Sequence, residues 1–469
     1  MGQEIEHSHF SADDFRLFEQ KLEAETRYLG DLFAQKKLSQ AGPVCGFEIE
    51  AWLIDPQGNP LPANQEYLDA LADPMVVHEL SRFNIELNIE PENLQGDVFS
   101  HMQLNLQETW NKCTQVAEGM DANLVMIGIL PSVHDADLSL KNMTRSNRYK
   151  ALNEQVLALR NNVPLHLDIH GRGHLNADHF DVMLESAATS FQIHLQTPLE
   201  QASEMFNRAI MLSAPMVAAT ANSPYLFGHE LWDETRIPLF EQAVECGELA
   251  HRRVTFGDRY NEHNMLDIFI DNIRDYPVLV PNLSDDAQER MPHLRFHNGT
   301  IWRWNRPLLG FDPDGSPHLR IEHRVVPAGP SIPDTIANAA FFYGMMYGLT
   351  GRQNPGSLPF TLAKENFYLC ARDGLHALVN WPGSETNSIR QILLEELIPM
   401  ARIGLSELGV SKADNQYFLD IIEQRVSSGQ NGAEWQRRWV AAHGKNMQAL
   451  TLAYLRHQNS NKPVASWSI

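Results

Sequence analysis

Four stretches of the chain alternate apolar and functional side chains with a two-residue period, and this pattern limits the fold more than any other feature of the sequence. They are 45–53 (Cys-Gly-Phe-Glu-Ile-Glu-Ala-Trp-Leu), 83–90 (Phe-Asn-Ile-Glu-Leu-Asn-Ile-Glu), 189–196 (Thr-Ser-Phe-Gln-Ile-His-Leu-Gln) and 319–325 (Leu-Arg-Ile-Glu-His-Arg-Val). A β-strand sends successive side chains to opposite faces. Phe47, Ile49 and Leu53 therefore point one way, and Glu48 and Glu50 the other. The same split sets Phe83, Ile85, Leu87 and Ile89 against Asn84, Glu86, Asn88 and Glu90. One such strand would be ordinary solvent exposure. Four strands whose polar face carries carboxylate, carboxamide, imidazole and guanidinium, with no Lys, have the composition of a divalent-metal and phosphate site.

Of 469 residues, 37 are Lys or Arg and 59 are Asp or Glu, a net charge of −22. That field disfavours nucleic acid and anionic membranes, so an ATP site would need local positive charge from Arg and metal. No window reaches the length of a transmembrane helix. The opening Met-Gly-Gln-Glu-Ile-Glu lacks the basic and apolar regions of a signal peptide, and Met1-Gly2 alone makes no lipidation signal. Cys45, Cys113, Cys246 and Cys370 are scattered without a CxxC pair, which points to a reducing cytoplasm and no cysteine metal site.

Ser11-Ala-Asp-Asp14 offers a capping box, and Phe15, Phe18, Leu22, Leu29, Leu32 and Phe33 recur at helical spacing, predicting a helix over 12–37. The first strand follows, then a hairpin-type turn at 55–60. Helices are expected at 99–120, 146–160 and 199–219, and a buried strand at 123–130. Weak periodicity over 256–318 reads as strands and long loops. From Ile332 the pattern is helical: 332–350, 364–378, 387–409, 414–427 and 433–456. No linker or repeat divides the chain. The expected architecture is a single catalytic α+β domain: an N-terminal helix in 1–43, a sheet-rich core in 44–331 and a mainly helical 332–469.

Magnesium takes hard oxygen ligands and is usually shared with substrate phosphates. Glu48 and Glu50 suit adjacent ions, with Glu86 and Glu322 arriving from other strands of the same sheet. Arg320 and Arg324 flank Glu322, and Arg236 follows the Ala-Asn-Ser-Pro of 221–224. Guanidinium groups there suit phosphate or a substrate carboxylate, or else pair with the same glutamates. His166, His170 and His174 stand four apart, the spacing of a zinc pair on a helix. Pro164, Gly171 and Gly173 argue against that helix, so 165–174 reads as a surface loop near the site. Trp302 and Trp304 suit either an adenine platform or the core. A GxxxxGK[ST] loop, a strand–GxGxxG–helix unit and a GxSxG elbow are all absent.

In these motifs the chain resembles glutamate–cysteine ligases of the second type and related carboxylate–amine ligases, in order from about Gly46 to Arg324. Gly-Phe-Glu-Ile-Glu at 46–50 is similar to the family's Gly-x-Glu-x-Glu, and Glu79 and Glu86 keep its seven-residue interval. Gly-Ile-Leu-Pro at 128–131, Arg148-Tyr149, Ser-Phe-Gln-Ile-His at 190–194, Ala-Asn-Ser-Pro at 221–224 and Ile-Glu-His-Arg at 321–324 continue the match. Gln192 stands where some members carry a metal-binding His, and His194 where Asn is common. Residues 285–318 match no glutathione-pathway pattern, which leaves the amine unassigned.

The resemblance implies a glutamine-synthetase-like antiparallel sheet lining a funnel-shaped site. It implies an ATP-dependent ligase joining a carboxylate, most often the γ-carboxylate of glutamate, to an amine through an acyl phosphate. Glu48, Glu50, Glu79, Glu86 and Glu322 would hold two or three Mg²⁺. Gln192, His194 and Arg320 would meet the nucleotide, Arg148, Tyr149 and Asn222 the substrate, and Arg236 and Arg324 would be catalytic. Alternatives are a guanidino-kinase-like phosphotransferase and a non-catalytic metabolite-binding protein of the same fold. Partners would be small amino-acid and amine substrates. The acidic charge suits a soluble monomer, and the last helices are equally suited to a homo-oligomer interface.

Overall fold

A computed structural model describes residues 4–247, 252–349, 358–384 and 386–469. Met1-Gly2 and the last residue of the expected helix 332–350 lie outside them. The period-two stretches all become strands of one antiparallel sheet, in the order Asn305–Phe311, Pro317–His323, Phe191–Thr197, Val44–Ile54, Asn84–Asn88 and Val76–His78. Short strands Glu92–Asn93 and Asn123–Val125 pair with the two ends of Val44–Ile54. The sheet curls into a half-barrel.

Register fixes the faces. Glu48 lies opposite Asn88 and Gln192, Glu50 opposite Glu86, and His194 opposite both Gly46 and Glu322. Directly opposed residues share a face, so the even-numbered polar residues of four strands form one surface. The odd-numbered set, including Phe47, Ile49, Ile85, Leu87, Phe191, Ile193, Leu319 and Ile321, is buried on the other.

Helices cover that apolar face. Ala202–Thr220 and Ile332–Gly348 are buried almost throughout, as their all-round apolar sequences require. The Tyr343 hydroxyl lies 2.8 Å from the His194 carbonyl and 3.1 Å from that of Gly46, clamping two strands from behind. Ile332–Gly348 touches the helix Ile398–Glu407 backbone to backbone. A Cβ at Gly344, Gly348 or Gly404 would collide with the facing chain, so only glycine permits this approach.

The N-terminal helix runs Ala12–Ala34, with the Ser11–Asp14 capping box present. Its buried Glu25 accepts hydrogen bonds from the Leu294 amide (2.8 Å) and meets His293 Nδ1 at 2.6 Å. Four expectations need correction. Residues 165–179 form a two-stranded ribbon, Leu165–His170 paired with His174–His179, and not a loop. Within 256–318 lie two helices, Leu266–Asp275 and Pro292–Gly299. The helix expected at 433–456 breaks at Gly444 into Gly432–His443 and Met447–Asn459. The expected strand 123–130 is ordered as strand only over Asn123–Val125, and a helix at Asn64–Leu71 went unrecognised. The four cysteines are buried and unpaired, and no helix among the described residues is long and apolar enough to cross a membrane.

The helical layer carries a fully buried ion pair. Arg425 Nη2 donates to Asp334 Oδ1 at 2.7 Å, while Asp334 Oδ2 accepts from Ser331 Oγ (2.6 Å) and the Val464 amide (2.8 Å). Removing one member of such a pair leaves an uncompensated buried charge. Asp334→Ala is expected to lower stability by about 3–5 kcal/mol in denaturant unfolding, whereas a loss within ordinary surface scatter would show that the pair does not tie the layer together.

Candidate active site

The polar face gathers two carboxylate clusters. Ligand atoms of Glu48, His194 and Glu322 lie within 4.8 Å of one another, as do those of Glu50, Glu79 and Glu86. Glu48 and Glu50 are two residues apart on one strand, so the clusters stand about 7 Å apart at the backbone.

Their electrostatics differ. Arg306 grips Glu322 at both oxygens, Nε to Oε2 at 2.8 Å and Nη2 to Oε1 at 3.0 Å, and Arg324 Nη1 adds a contact to Oε2 at 3.3 Å. Burial opposes ionisation of Glu322, yet Arg306 and then Arg324 hold it well below the usual carboxylate range. Glu48 is likewise buried but lowered, chiefly by His194. His194 Nε2 sits 3.7 Å from Glu48 Oε1 and 3.5 Å from Glu322 Oε1. Glu48 Oε2 and His194 Nε2 are both buried without a hydrogen-bond partner. Buried polar atoms are nearly always satisfied, so two orphans in a cluster whose ligand atoms lie within 4.8 Å of one another fit a bound cation.

The second cluster is a nest of like charges. Burial and then Glu86 push Glu50 up to about 7, and burial and then Glu50 push Glu79 up to about 7. Glu86 is raised well above its ordinary value by burial, Glu48 and Glu79. Glu185, on the short helix Val182–Ala187, borders the same cleft and is pushed by burial to about 7. Glu50 still keeps donors: the Ser190 amide at 2.7 Å, Ser190 Oγ at 2.8 Å and Gln192 Nε2 at 3.2 Å. A carboxylate nest short of cations and rich in oxygen donors fits a hard divalent ion.

Arg324 joins the clusters. Its Nη1 bonds Gln192 Oε1 as well as Glu322, and its charge interacts with Glu50 and Glu48. Arg148 acts on Glu79 and Glu185, and Tyr149, buried beside His78, has its phenol pushed up by burial and then Glu79. Arg320 lies at the outer rim, opposite Gln196, with its Nε buried and without a hydrogen bond.

One assignment changes, and a second residue gains a structural role. Asn222 does not face the cleft: it is wholly buried and donates to the Ala328 carbonyl and Tyr454 hydroxyl, both at 2.8 Å, while accepting from Gln436 at 3.1 Å. It latches the last helices to the segment behind Arg324. Arg236 borders the cleft, but its Nε bonds Glu234 at 3.0 Å and its Nη2 the Arg324 and Val325 carbonyls. It therefore holds the chain that carries Arg324. Trp304 belongs to the core, its Nε1 donating to Glu241 at 2.8 Å beneath Arg236. Sequence reasoning missed Arg306, whose opposition to Glu322 appears only once the 305–323 hairpin is registered, and Glu185, which no periodicity marks. A larger cavity, about 330 Å³, lies apart and holds neither cluster.

With a folded value near 7 against an ordinary 4.5, Glu50 and Glu79 stay protonated in the native state while the unfolded chain ionises. Their contribution to stability is present below pH 4.5 and lost as pH rises through about 7. In chelator the melting temperature is expected to fall between pH 5 and pH 8, and a divalent cation to restore more at pH 8 than at pH 5. Equal recovery at both values would rule out the nest as a cation site.

A profile of the glutamate-cysteine ligase family 2 matches residues 44–452, so the likeness extends through the helical third that the motifs alone had left outside. The glutamate–cysteine ligase of Francisella tularensis, solved in complex with AMP, superposes with a TM-score of 0.54 at 11% identity, over 92% of this chain and 90% of that one. A bifunctional glutathione synthetase from Pasteurella multocida gives 0.47 at 12% identity, over 92% of this chain and 54% of that one. No curated protein matches the chain in sequence. The glutamine-synthetase-like sheet, the clustered carboxylates and the profile together place the chain in glutamate–cysteine ligase family 2, as an ATP-dependent amide-forming ligase.

Proposed function

We propose that the enzyme joins the γ-carboxylate of glutamate to an amine through an acyl phosphate, using magnesium-bound ATP. The observation that carries this reading is the pair of clusters at Glu48/His194/Glu322 and Glu50/Glu79/Glu86, of opposite electrostatic character and joined by Arg324. Magnesium at these carboxylates would neutralise the charge of the phosphates.

The chain's own groups supply alignment and charge compensation, which phosphoryl transfer needs more than covalent participation. Arg324, held between Gln192 and Glu322, is placed to stabilise the phosphoryl group as it passes from ATP to the substrate carboxylate. Arg306 fixes the orientation of Glu322, and Ser190 and Gln192 fix that of Glu50. Arg320 at the rim suits the polyphosphate, and Arg148 with Tyr149 beside Glu79 suits the amino-acid end of glutamate. The carboxylate oxygen forms the new P–O bond as ADP leaves. The amine nitrogen then attacks the acyl carbon, expels phosphate and loses a proton. AMP in the Francisella tularensis ligase supports a nucleotide in this fold.

ADP release is expected to require both glutamate and an amine, with a new amide detected by mass spectrometry across an amine panel. Phosphate release without any amide would sink the ligase assignment. Glu50→Gln and Glu322→Gln are each expected to lower turnover by roughly 10²-fold or more with the fold intact by circular dichroism; near-normal activity in either would remove it from the metal set.

A further inference from the structure

The outward face of the ribbon Leu165–His170/His174–His179 is chemically uniform. Its three cross-strand pairs are His166 with Asp178, Asp168 with Asn176 and His170 with His174, all exposed, while Leu165, Leu167, Ile169 and Leu175 are buried beneath. Six outward positions thus hold three imidazoles, two carboxylates and a carboxamide, where a solvated ribbon usually mixes Lys, Thr, Ser and Glu. The spacing of four between His170 and His174 has nothing to do with a helical turn. In a hairpin it places them directly opposite one another.

We propose that His170, His174 and Asp168 form a surface site for a borderline-soft divalent ion, Zn²⁺ in chemical class, separate from the catalytic carboxylates. His174 Nε2 lies 2.7 Å and His170 Nε2 3.3 Å from the same oxygen, Asp168 Oδ1, and all three ligand atoms fall within 4.8 Å of one another. Two ligands of a tetrahedral ion with bonds of ~2.1 Å stand about 3.4 Å apart. His170 Nε2 already stands near that separation from Asp168 Oδ1, and His174 Nε2 would draw back by about 0.7 Å, with water in the fourth position. The two rings stack at 3.9 Å with 10° between planes, so both Nε2 atoms reach the carboxylate from one side.

The backbone is fixed before any ion arrives. Gln242 accepts from the Asp168 amide at 2.7 Å and donates to its carbonyl at 3.3 Å, and Trp232 Nε1 donates to the His170 carbonyl at 2.7 Å. At the tip, a Cβ on Gly171 or Gly173 would strike the backbone of Leu231 or Glu230, so these glycines press the turn against its support. Arg172, the nearest cation in sequence, is drawn aside to Glu230 at 3.2 Å. Imidazole nitrogens distinguish this site from the oxygen-rich Glu50 nest: zinc accepts them, whereas magnesium prefers oxygen. His166 alongside is oriented in turn: its Nδ1 donates to Asp178 Oδ1 at 2.8 Å and its Nε2 accepts from Asn176 Nδ2 at 3.3 Å.

The test is calorimetric titration of the full chain with zinc chloride in excess Mg²⁺, which occupies oxygen-only sites. Wild type is expected to bind one equivalent that survives in Glu50→Gln/Glu322→Gln and weakens about tenfold or more in His170→Ala and in His174→Ala. Copper loading should show two nitrogen ligands by electron paramagnetic resonance, falling to one in either histidine variant, with Mg²⁺-dependent turnover unchanged. His170→Gln and His174→Gln, which keep side-chain bulk, repeat the measurement should an alanine variant unfold. Zinc bound equally by the histidine double variant, or lost in the glutamate variants instead, overturns the proposal.

Discussion

Glu50, Glu79 and Glu86 crowd together with Glu185 beside them: Glu86 raises the cost of ionising Glu50, Glu50 and Glu185 that of Glu79, and Glu79 that of Glu86. A chain left to optimise stability alone would not crowd four acids together, two of them buried and two half-buried. The neighbouring Glu48 and Glu322 carry the opposite bias, because Arg306, Arg324 and His194 hold them ionised. The contrast arises two residues apart on a single strand, and the rest of the structure serves to keep it there. Tyr343 pins the strands carrying Glu48 and His194 from behind, so the even-numbered face cannot relax to separate its charges.

The helical third does more than cover an apolar surface. Asn222, Tyr454 and Gln436 knit the last two helices to the Ala328 carbonyl, and Arg236 clasps the carbonyls of Arg324 and Val325. Both devices act on the few residues that follow the Pro317–His323 strand, where Arg324 must project between the clusters. Tyr454 and Gln458 also bind the Met126 and Leu124 carbonyls, tying the C-terminal helix to the sheet's short edge strand. That the family profile runs to residue 452 agrees with a helical layer inseparable from the site.

Much of this was legible in the sequence because strand periodicity is a short-range signal. The alternation at 45–53 and 83–90 named the site's face without knowledge of which strands pair. What stayed hidden depends on long-range register or on local exceptions. Arg306 becomes a partner of Glu322 only through the hairpin of 305–323, and it sits among Pro, Asp and Asn residues that mask a strand. Glu185 lies on a short 3₁₀ turn. Asn222 belongs to the Ala-Asn-Ser-Pro match at 221–224, yet its side chain is spent on packing, which a sequence pattern cannot separate from contact with substrate. The histidine ribbon was misread because Gly171 and Gly173 look like loop residues, whereas they permit a tight tip pressed on Leu231.

The central claim is that two cation sites, unlike in charge, lie side by side on the polar face of the sheet. Anomalous scattering from crystals soaked with Mn²⁺ and a non-hydrolysable ATP analogue tests it most directly. One peak is expected against Glu48, His194 and Glu322, and another against Glu50, Glu79 and Glu86. Manganese bound elsewhere, with both clusters empty beside a bound nucleotide, would contradict the account.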